Sequence, residues 1–418
     1  MKSNYKRLGD YIKEVNVRNT ELNVNKLLGI NIDKFFMPSV ANVVGTDMTA
    51  YKIVKNGQFA CNRMHVGRDK RLPVALSEQA EDVIVSPAYN VFGIIDKEVL
   101  DPEYLMMWFL RKEFDRNTWF YTDADVRGGL NWKDFCNMQL PVLSITKQKE
   151  IVKEYNVLVE RINLNKKLIQ KLEETAQAIY KQWFVDFEFP DENGKPYKSN
   201  GGEMEHNLEL DTDIPKGWRV GILEEIVELI ISHRGKSKSL MELNLKDDLF
   251  VHPVISAMNV NGGMIVKHDT IRYADKTTFK EWMKDPLEIG DVIMTSEAPM
   301  GELLYIAKRR DYIISQRLFA IRADKTKSSG VFLYFWLQTP TAKREMEGRS
   351  TGTTVLGIKL SELKKLLILQ PKENTVTYFE SKVQSIMDLL EEKKKENEFL
   401  NELRNLLLSK LATLEDSL

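Results

Sequence analysis

The feature that most constrains this chain is a long stripe of apolar residues with helical spacing. Between Ile151 and Trp183, nine of ten positions separated alternately by four and three residues are apolar or aromatic. This spacing predicts an α-helix whose stripe packs against another helix, as in a coiled coil. Asn165 is the single polar residue of the stripe, and such a residue typically fixes the register of the pairing.

A second stripe repeats the first one 228 residues further along the chain. Seven of the ten shifted positions are apolar, and Leu403 and Leu414 extend this stripe. The patterns predict helices over about 148–185 and 376–415, each on the order of 55 Å long. Two unrelated amphipathic helices are the alternative. The predicted seam residues are Ile151, Tyr155, Leu158, Ile162, Asn165, Ile169, Leu172, Ile179, Val383, Ile386, Leu390, Leu400, Leu407 and Leu411.

The segments before the two helices also resemble each other in the same order. Asn56–Phe59 resembles Ile289–Val292, and Gly128–Asn131 resembles Leu356–Lys359. Short β-branched runs between such blocks predict strands. We therefore expect an α+β fold with two similar domains, separated by two long antiparallel coiled-coil helices in a pseudo-two-fold repeat. The expected boundaries are a first domain at 1–145, a helix at 146–186, a linker at 187–217, a second domain at 218–373 and a helix at 374–418.

The composition restricts the class of protein. Lys and Arg total 60 and Asp and Glu total 61, so a uniformly basic nucleic-acid coat protein is excluded. Two cysteines without a CxxC pair fit a reducing compartment. No signal peptide and no apolar run of about 20 residues is visible in the sequence. We expect a cytoplasmic protein that does not bind membranes.

The sequence matches known catalytic and cofactor-binding motifs only incompletely. Gly235-Lys236-Ser237 ends like a phosphate-binding loop, but Ile230 stands where that loop needs glycine. None of the five histidines pairs with another at a metal-binding spacing. Ser86-Pro87-Ala88-Tyr89 is similar to a methyltransferase loop, but no glycine-rich cofactor loop precedes it. We expect no catalytic residue, no metal and no cofactor in this chain.

Local basic charge favours DNA as a ligand. Residues 51–75 carry six basic residues and one acid, and residues 308–322 carry five and one. Such stretches can neutralise phosphates, and two similar domains suit two half-sites on a duplex. The candidate DNA-binding residues are Arg63, His65, Arg68, Lys70, Arg71, Asn90, Arg127, Asn131, Arg234, Lys236, Lys238, Gln316, Arg317, Arg349, Thr353 and Thr354.

Three segments carry a resemblance to a known family. Gln148–Ile151 and Leu172–Pro190 resemble the central conserved region of type I restriction–modification specificity subunits, and Ile214–Trp218, which opens the second half, resembles the same family. The second helix lacks the Ala-Ile-Tyr-Lys-Gln-Trp-Phe signature of the first. The resemblance covers essentially the whole chain.

The resemblance implies a division of labour. The two globular domains would be target recognition domains that read a bipartite, asymmetric double-stranded DNA site with a nonspecific gap, and the helices would be spacers. Two modification subunits would use S-adenosylmethionine to methylate adenine at N6, and two restriction subunits would use ATP and Mg²⁺. The chain itself would be non-catalytic. Tyr180, Trp183 and Phe184 would help to hold the modification subunits, or would pack against their own domain.

Two other classes of protein stay open at this point. A coiled-coil scaffold or regulator with two globular heads would bind DNA without reading its sequence, or would not bind it. An enzyme with a strongly diverged motif would bind S-adenosylmethionine or cut DNA by itself.

Overall fold

The computed structural model describes residues 4–39, 45–64, 66–122, 128–234, 252–352 and 355–413. The chain forms two compact units, the first from Met1–Asn165 and Glu396–Leu418 and the second from Lys166–Lys395. Each of the two long helices therefore contributes residues to both units. The predicted His65, Arg127, Lys236, Lys238, Thr353 and Thr354 lie outside the described residues.

The described residues of the first unit form short strands, four short α-helices and part of each long helix. Its elements in chain order are β1 (Tyr5–Arg7), β2 (Ile12–Val15), β3 (Leu28–Ile30), β4 (Phe36–Pro38), β5 (Lys52–Val54), β6 (Phe59–Cys61), α1 (Val66–Asp69), β7 (Val74–Leu76), β8 (Val83–Val85), β9 (Asn90–Ile94), α2 (Pro102–Phe109), α3 (Lys112–Phe120), α4 (Trp132–Asn137) and β10 (Gln139–Pro141). The first long helix, α5, spans Ile145–Phe184.

The second unit repeats much of this order. Its elements are β11 (Met204–Asn207), β12 (Thr212–Pro215), β13 (Arg219–Ile222), β14 (Val227–Ser232), β15 (His252–Ile255), β16 (Val260–Asn261), β17 (Met264–Ile265), β18 (Arg272–Ala274), α6 (Lys276–Trp282), β19 (Val292–Thr295), β20 (Leu303–Tyr305), β21 (Ile313–Ile314), β22 (Leu318–Ala323), α7 (Gly330–Gln338), α8 (Pro340–Gly348), α9 (Leu360–Leu363) and β23 (Leu367–Gln370). The second long helix, α10, spans Glu373–Lys410.

Each unit is built on a four-stranded antiparallel sheet with the same topology. The strand order is β2-β9-β6-β7 in the first unit and β14-β22-β19-β20 in the second. A separate pair, β1-β10 or β13-β23, joins the start of each domain to the strand before its long helix. The prediction of two similar α+β domains, each followed by a long helix, is confirmed.

Both faces of the inner strands of each sheet are buried, so β6, β9, β19 and β22 are largely apolar. In the first unit Phe59 and Phe92 pack under the helices, with ring centroids 5.0 Å apart. The alternate residues Ala60 and Val91 face a smaller cluster on the other side. The period of two along a strand explains why consecutive residues belong to different clusters.

The helix after the sheet is capped in the same way in both units. Asp101 accepts hydrogen bonds from two N–H groups at the start of α2, and Ser329 accepts one from Phe332 at the start of α7. The buried Gln148, near the start of α5, accepts from the N–H of Asp101 at 2.9 Å and donates to the carbonyl of Val99 at 2.9 Å. Gln148 therefore connects α5 to the beginning of α2.

The long helices pair antiparallel within each unit. In the first unit, Ile151 belongs to the same buried cluster as Leu408 and Leu411. Further along α5, Nδ2 of Asn165 donates to Oδ1 of Asn397 at 3.1 Å. In the second unit, Glu173 forms an ion pair of 3.0 Å with Lys394. Positions later in α5 meet positions earlier in α10.

The predicted seam residues are all buried or half-buried, and Asn165 is one of the buried ones. Leu403, predicted to extend the second stripe, is instead half exposed, and Leu408 is buried in that part of α10. A straight α-helix has 3.6 residues per turn, so a strict 3.5-residue stripe drifts around it. Leu414 lies outside the described residues.

The segment predicted as a linker, 187–217, is folded onto the second unit. Its Phe187 and Phe189 are buried in the same cluster as Trp218. The ring of Tyr197 stacks on Phe189 with centroids 4.6 Å apart, and β11 pairs with β12. Its aromatic residues provide the apolar surface that holds it there, despite its many glycines and acids. Among the described residues, no helix is long and apolar enough to span a membrane.

Candidate nucleic-acid interface

In the first unit, an arginine network lies where β6 ends and β9 begins. Nε of Arg63 donates to Oδ1 of Asn90 at 2.8 Å, and a terminal nitrogen of the same guanidinium donates to the carbonyl of Leu130. The guanidinium also lies 5.7 Å from the centre of the Trp132 ring. Nδ2 of Asn90 donates to the carboxylate of Glu14 at 2.7 Å. Both polar side chains are therefore held in one orientation by their neighbours.

The loop that carries Arg63 requires glycine at its contact with the next loop. The N–H of Gly67 donates to the carbonyl of Gly128 at 2.8 Å. A Cβ at Gly67 would lie 2.7 Å from the Cα of Gly128, which is closer than side-chain carbons approach backbone. Gly128 itself has a φ of +56°, a conformation that favours glycine. The two loops form one surface because neither residue carries a side chain.

In the second unit, Glu297, which lies just after β19, forms ion pairs with two arginines. Its carboxylate pairs with Nε of Arg317 at 2.9 Å and with a terminal nitrogen of Arg234 at 3.9 Å. Arg234 also donates to the carbonyl of Ile358 at 3.3 Å. The side chain of Arg317 is 61% exposed, so one edge of its guanidinium is held by Glu297 while the group remains accessible to a ligand.

The two networks occupy equivalent places in the repeat. The N–H of Leu130 donates to the carbonyl of Arg63, and the N–H of Ile358 donates to the carbonyl of Ser296, each at 2.9 Å. Leu130 and Ile358 are thus counterparts. The carbonyl of Leu130 accepts a hydrogen bond from Arg63, and the carbonyl of Ile358 accepts one from Arg234. Arg63 lies in the loop after β6, whereas Arg234 follows β14. In both units a guanidinium lies at the same position of the shared fold, but the arginine comes from a different segment of the chain in each unit.

A thiol lies beneath the network of the first unit. Cys61 is fully buried in β6, opposite Asn90 in the register of the sheet. Burial raises the pKa of the Cys61 thiol to about 12, so it stays protonated at neutral pH and is a poor nucleophile. The described residues contain no group of three or more His, Cys, Asp or Glu that could hold a metal ion.

Known proteins share this architecture. A family model described as the type I restriction modification DNA specificity domain matches residues 215–407. The specificity subunit of the type I restriction enzyme HindI from Haemophilus influenzae is 23% identical over 430 aligned positions, covering 91% of each chain. The specificity subunit of the type I restriction enzyme MjaIX from Methanocaldococcus jannaschii is 24% identical over 325 positions, covering 76% of this chain and 70% of the other.

A solved structure shows the same fold over almost the whole length. The crystal structure of the type I restriction–modification S subunit from M. genitalium aligns with a TM-score of 0.59 at 15% identity. The alignment covers 99% of this chain and 96% of that one. In sequence and in fold, the chain is similar to the specificity subunits of type I restriction–modification systems.

Two further basic candidates of the first unit lie at the surface beside acids. Arg68 pairs with Asp69 at 2.7 Å. Arg71 pairs with Asp33 at 2.8 Å and approaches Asp115 at 3.8 Å. The guanidinium of Arg71 therefore already serves two carboxylates inside the protein, whereas the paired Arg68 keeps most of its surface exposed.

Two other candidates have local structural roles, and a third is exposed beside the second arginine network. The side chain of Asn131 accepts a hydrogen bond from the N–H of Lys133 and caps α4. Arg349 pairs with Glu345 at 2.9 Å and lies 3.8 Å from Glu362. Gln316 is exposed next to Arg317, beside the second arginine network.

Sequence reasoning missed the acids and the aromatic ring that orient the arginines. Glu14 and Glu297 hold Asn90 and Arg317, and Trp132 lies against Arg63. Basic residues are the first candidates for DNA contacts because phosphates are anionic. Glu297 could have been found from its position in the sequence, because it follows an apolar strand at the place where Met64 follows β6 in the first unit.

The aromatic residues expected to hold modification subunits are buried inside the second unit. Tyr180, Trp183 and Phe184 belong to the core of the second unit. The rings of Phe184 and Phe379 are 4.9 Å apart, and those of Trp183 and Phe379 are 5.8 Å apart. Burial raises the pKa of the Tyr180 hydroxyl. The end of α5 therefore packs against the domain that follows it in the chain.

Proposed function

We propose that this chain is the specificity subunit, and therefore the sequence-reading part, of a type I restriction–modification complex. Each unit would contact one part of a bipartite, asymmetric site on double-stranded DNA. The chain would direct N6-adenine methylation and restriction by its partner subunits. The two units would read different bases because they present different side chains from the same frame.

The observation that carries this proposal is the pair of arginine networks at equivalent places. Arg63 and Arg234 reach counterpart carbonyls from different parts of the chain. A guanidinium that is already oriented loses little freedom when it meets a base edge or a phosphate, and its planar fork suits guanine or phosphate oxygens. Different surrounding side chains, Asn90 in one unit and Arg317 in the other, would give each unit its own preference.

The chemistry would reside on the partners. We propose two modification subunits that bind S-adenosylmethionine and up to two restriction subunits that use ATP and Mg²⁺, all in the cytoplasm. The specificity subunit would be non-catalytic and would bring these partners to a DNA site. The alternative is a scaffold that binds DNA without reading its sequence. Mapping of methylated adenines distinguishes the two.

The test is to map methylated adenines across the genome in cells that carry the modification subunit and either the wild-type chain or a variant. Wild type should give one two-part motif with a fixed gap. Arg317→Ala should relax one position in one half of that motif, because a good arginine contact to a base discriminates by about 1–3 kcal/mol. Arg63→Lys should affect only the other half, because it keeps the charge but loses the fork.

The matched control is Arg219→Ala, which removes an arginine of the second unit that pairs loosely with Glu225 at 3.9 Å. This variant should leave the motif unchanged. An identical methylation pattern with and without the chain, in the presence of active modification subunit, would contradict the proposal. Equal effects of Arg317→Ala on both halves of the motif would contradict the assignment of one half to each unit.

The length of the gap is proposed to follow from the long helices, which are 40 and 38 residues long and uninterrupted. Insertion of one helical turn into both helices should therefore lengthen the gap in the methylated motif. Sequencing of the methylated sites measures this directly. Retention of the original gap by a folded, active insertion variant would show that the helices do not set it.

A further inference from the structure

The end of α3 exposes three consecutive aromatic side chains. Trp119 is 44% exposed, Phe120 is 80% exposed and Tyr121 is 51% exposed. The rings of Phe120 and Tyr121 touch edge to face, 5.4 Å apart, so the exposed apolar surface is continuous. We call these three residues the aromatic tip. A contiguous exposed apolar surface on a protein commonly marks a contact with another molecule.

The aromatic tip borders the arginine network of the first unit. Thr122, which follows it directly, forms a β-bridge with Leu130. Leu130 is the residue whose carbonyl accepts the guanidinium of Arg63. A ligand that reaches the loop around Arg63 would therefore have the aromatic tip beside it.

Basic side chains surround the aromatic tip. The ammonium of Lys70 lies 4.8 Å from the centre of the Trp119 ring. Arg116 lies one helical turn before Phe120 and is largely exposed, although it pairs with Glu113 at 3.1 Å. Arg68, two residues before Lys70, is also largely exposed beside Asp69. Exposed rings among exposed cations fit a ligand that combines flat apolar surfaces with negative charge, as nucleic acid does.

Among the described residues, the second unit has no cluster of exposed aromatic side chains at the corresponding place. There α8 ends at Gly348, and the chain continues through Arg349 to Thr351, which bridges to Gly357. Arg349 is held by Glu345 at 2.9 Å. Because the frame folds without exposed aromatic residues at this point in the second unit, the aromatic tip is not required by the fold.

We propose that the aromatic tip is a wedge that enters duplex DNA at the edge of the part contacted by the first unit. Phe120 inserts at a base step and partly unstacks it, while Lys70 and its basic neighbours contact the flanking phosphates. Insertion of an apolar side chain between bases costs unstacking energy and is repaid by the closer contact that a kinked duplex allows. This inference rests on the proposed function and adds a second mode of contact to it.

The test uses the full chain, purified with the subunits that accompany it in the cell, and a duplex that contains the methylated motif. Thymines that lose stacking react faster with permanganate, so reactivity along the duplex locates a distorted step. Wild type should create one reactive step at the outer or inner edge of one half-site. Phe120→Ala should abolish that reactivity and weaken specific binding about tenfold. Phe120→Leu should retain much of both effects, because leucine can also act as a wedge.

The matched control is Leu208→Ala, since Leu208 is 86% exposed and lies in the second unit, away from both arginine networks in the sequence. It should leave the reactivity and the affinity unchanged. Melting curves of Phe120→Ala should match wild type because the ring packs against little else. This separates loss of the wedge from loss of folding.

The possible results distinguish the wedge from the broader proposal. Specific binding by wild type without a reactive step, or a reactive step that survives in Phe120→Ala, would overturn the wedge and leave the sequence-reading function intact. Loss of the partner subunits from purified Phe120→Ala would also overturn it, since the aromatic tip would then be a protein interface. Absence of specific binding by wild type would overturn the proposed function together with the wedge.

Discussion

The sheets of the two units have the same strand order but differ in one buried polar contact. In the second unit, Arg322 of β22 forms two hydrogen bonds of 2.9 Å with the carboxylate of Asp291. Asp291 is buried, and Arg322 also donates to Glu288 at 3.0 Å and to the carbonyl of Pro286 at 2.8 Å. This ion pair connects the strand at the centre of the sheet to the turn before β19.

The first unit has neutral residues at the same two positions. Phe59 pairs with Phe92 in the first sheet as Val292 pairs with Ile321 in the second. The residues that flank these pairs are Gln58 and Gly93 in the first unit and Asp291 and Arg322 in the second. The fold therefore does not need this ion pair. The shared apolar pattern builds both sheets, and the polar positions at their edges are free to differ.

The largest expected effect comes from breaking that pair. Asp291→Ala should destabilise the second unit by about 3–5 kcal/mol, because it leaves the buried guanidinium of Arg322 without its main partner. Hydrogen exchange read by mass spectrometry should show faster exchange in β19 and β22. Exchange in β6 and β9 should stay close to that of wild type.

The corresponding change in the first unit provides the control. Gln58→Ala should cost less than about 1 kcal/mol, since no charge is left unpaired. The double change Asp291→Gln with Arg322→Gly copies the first unit and should cost less than Asp291→Ala alone. Equal exchange in the Asp291→Ala and Gln58→Ala variants would show that the ion pair does not account for the difference between the sheets.

A smaller effect is expected where the units differ in the contacts between their helices. The first unit has the buried Asn165 bonded to Asn397 at 3.1 Å. The second has the partly exposed ion pair between Glu173 and Lys394, at 3.0 Å. Asn165→Leu should cost about 1–3 kcal/mol, because it leaves the amide of Asn397 without its partner in the helix pair. Urea denaturation measures the loss.

Glu173→Gln is the comparison for that change. It should cost at most about 1 kcal/mol, as exposed ion pairs contribute little. Asn165→Leu combined with Asn397→Leu should restore stability, and disulfide trapping between cysteines placed along the seam would then show more than one register. A single register in the double variant would contradict the role of the asparagine pair in setting it.

Much of the fold could be predicted from the sequence because periodicity reports which face of an element is buried. The stripe from Ile151 onward predicted α5, and the repeat predicted the second unit. Periodicity does not show which other element packs against the buried face of a helix or strand. Ala176 and Trp183 belong to the stripe, yet they pack in the core of the second domain and not only against α10. The same limit applies to Phe189, whose aromatic partners Tyr197 and Trp218 come together only in the folded chain.

The candidate site was predictable only in part. Arg63 and Arg317 stand out as basic residues after or before apolar strands. Their orientation depends on Leu130 and Glu297, which are distant from them or chemically unlike them. The counterpart relation between Arg63 and Arg234 could not be read from the sequence, because the two arginines are not aligned in the repeat. They share only a place in three dimensions relative to the frame of each unit.

The smallest expected effect concerns the turns that follow β9 and β22 and lead to α2 and α7. The carboxylate of Asp324 accepts hydrogen bonds from the hydroxyl of Thr326 at 2.7 Å and from its N–H at 3.0 Å, and it pairs with Lys327 at 3.0 Å. Together these contacts, the Thr326 hydroxyl first among them, lower the pKa of Asp324 to about 2. Asp96, at the matching turn of the first unit, accepts from the N–H of Glu98 at 2.9 Å.

A lowered pKa means that the folded state favours the ionised carboxylate. The contribution of Asp324 should therefore be complete above about pH 4, where an unfolded aspartate is ionised, and should disappear as the pH falls through about 2. Urea denaturation of wild type and Asp324→Asn should differ slightly at pH 6, and the difference should shrink at pH 4 and again at pH 3. A difference that stays constant over this range would show that the charge of Asp324 does not stabilise the turn.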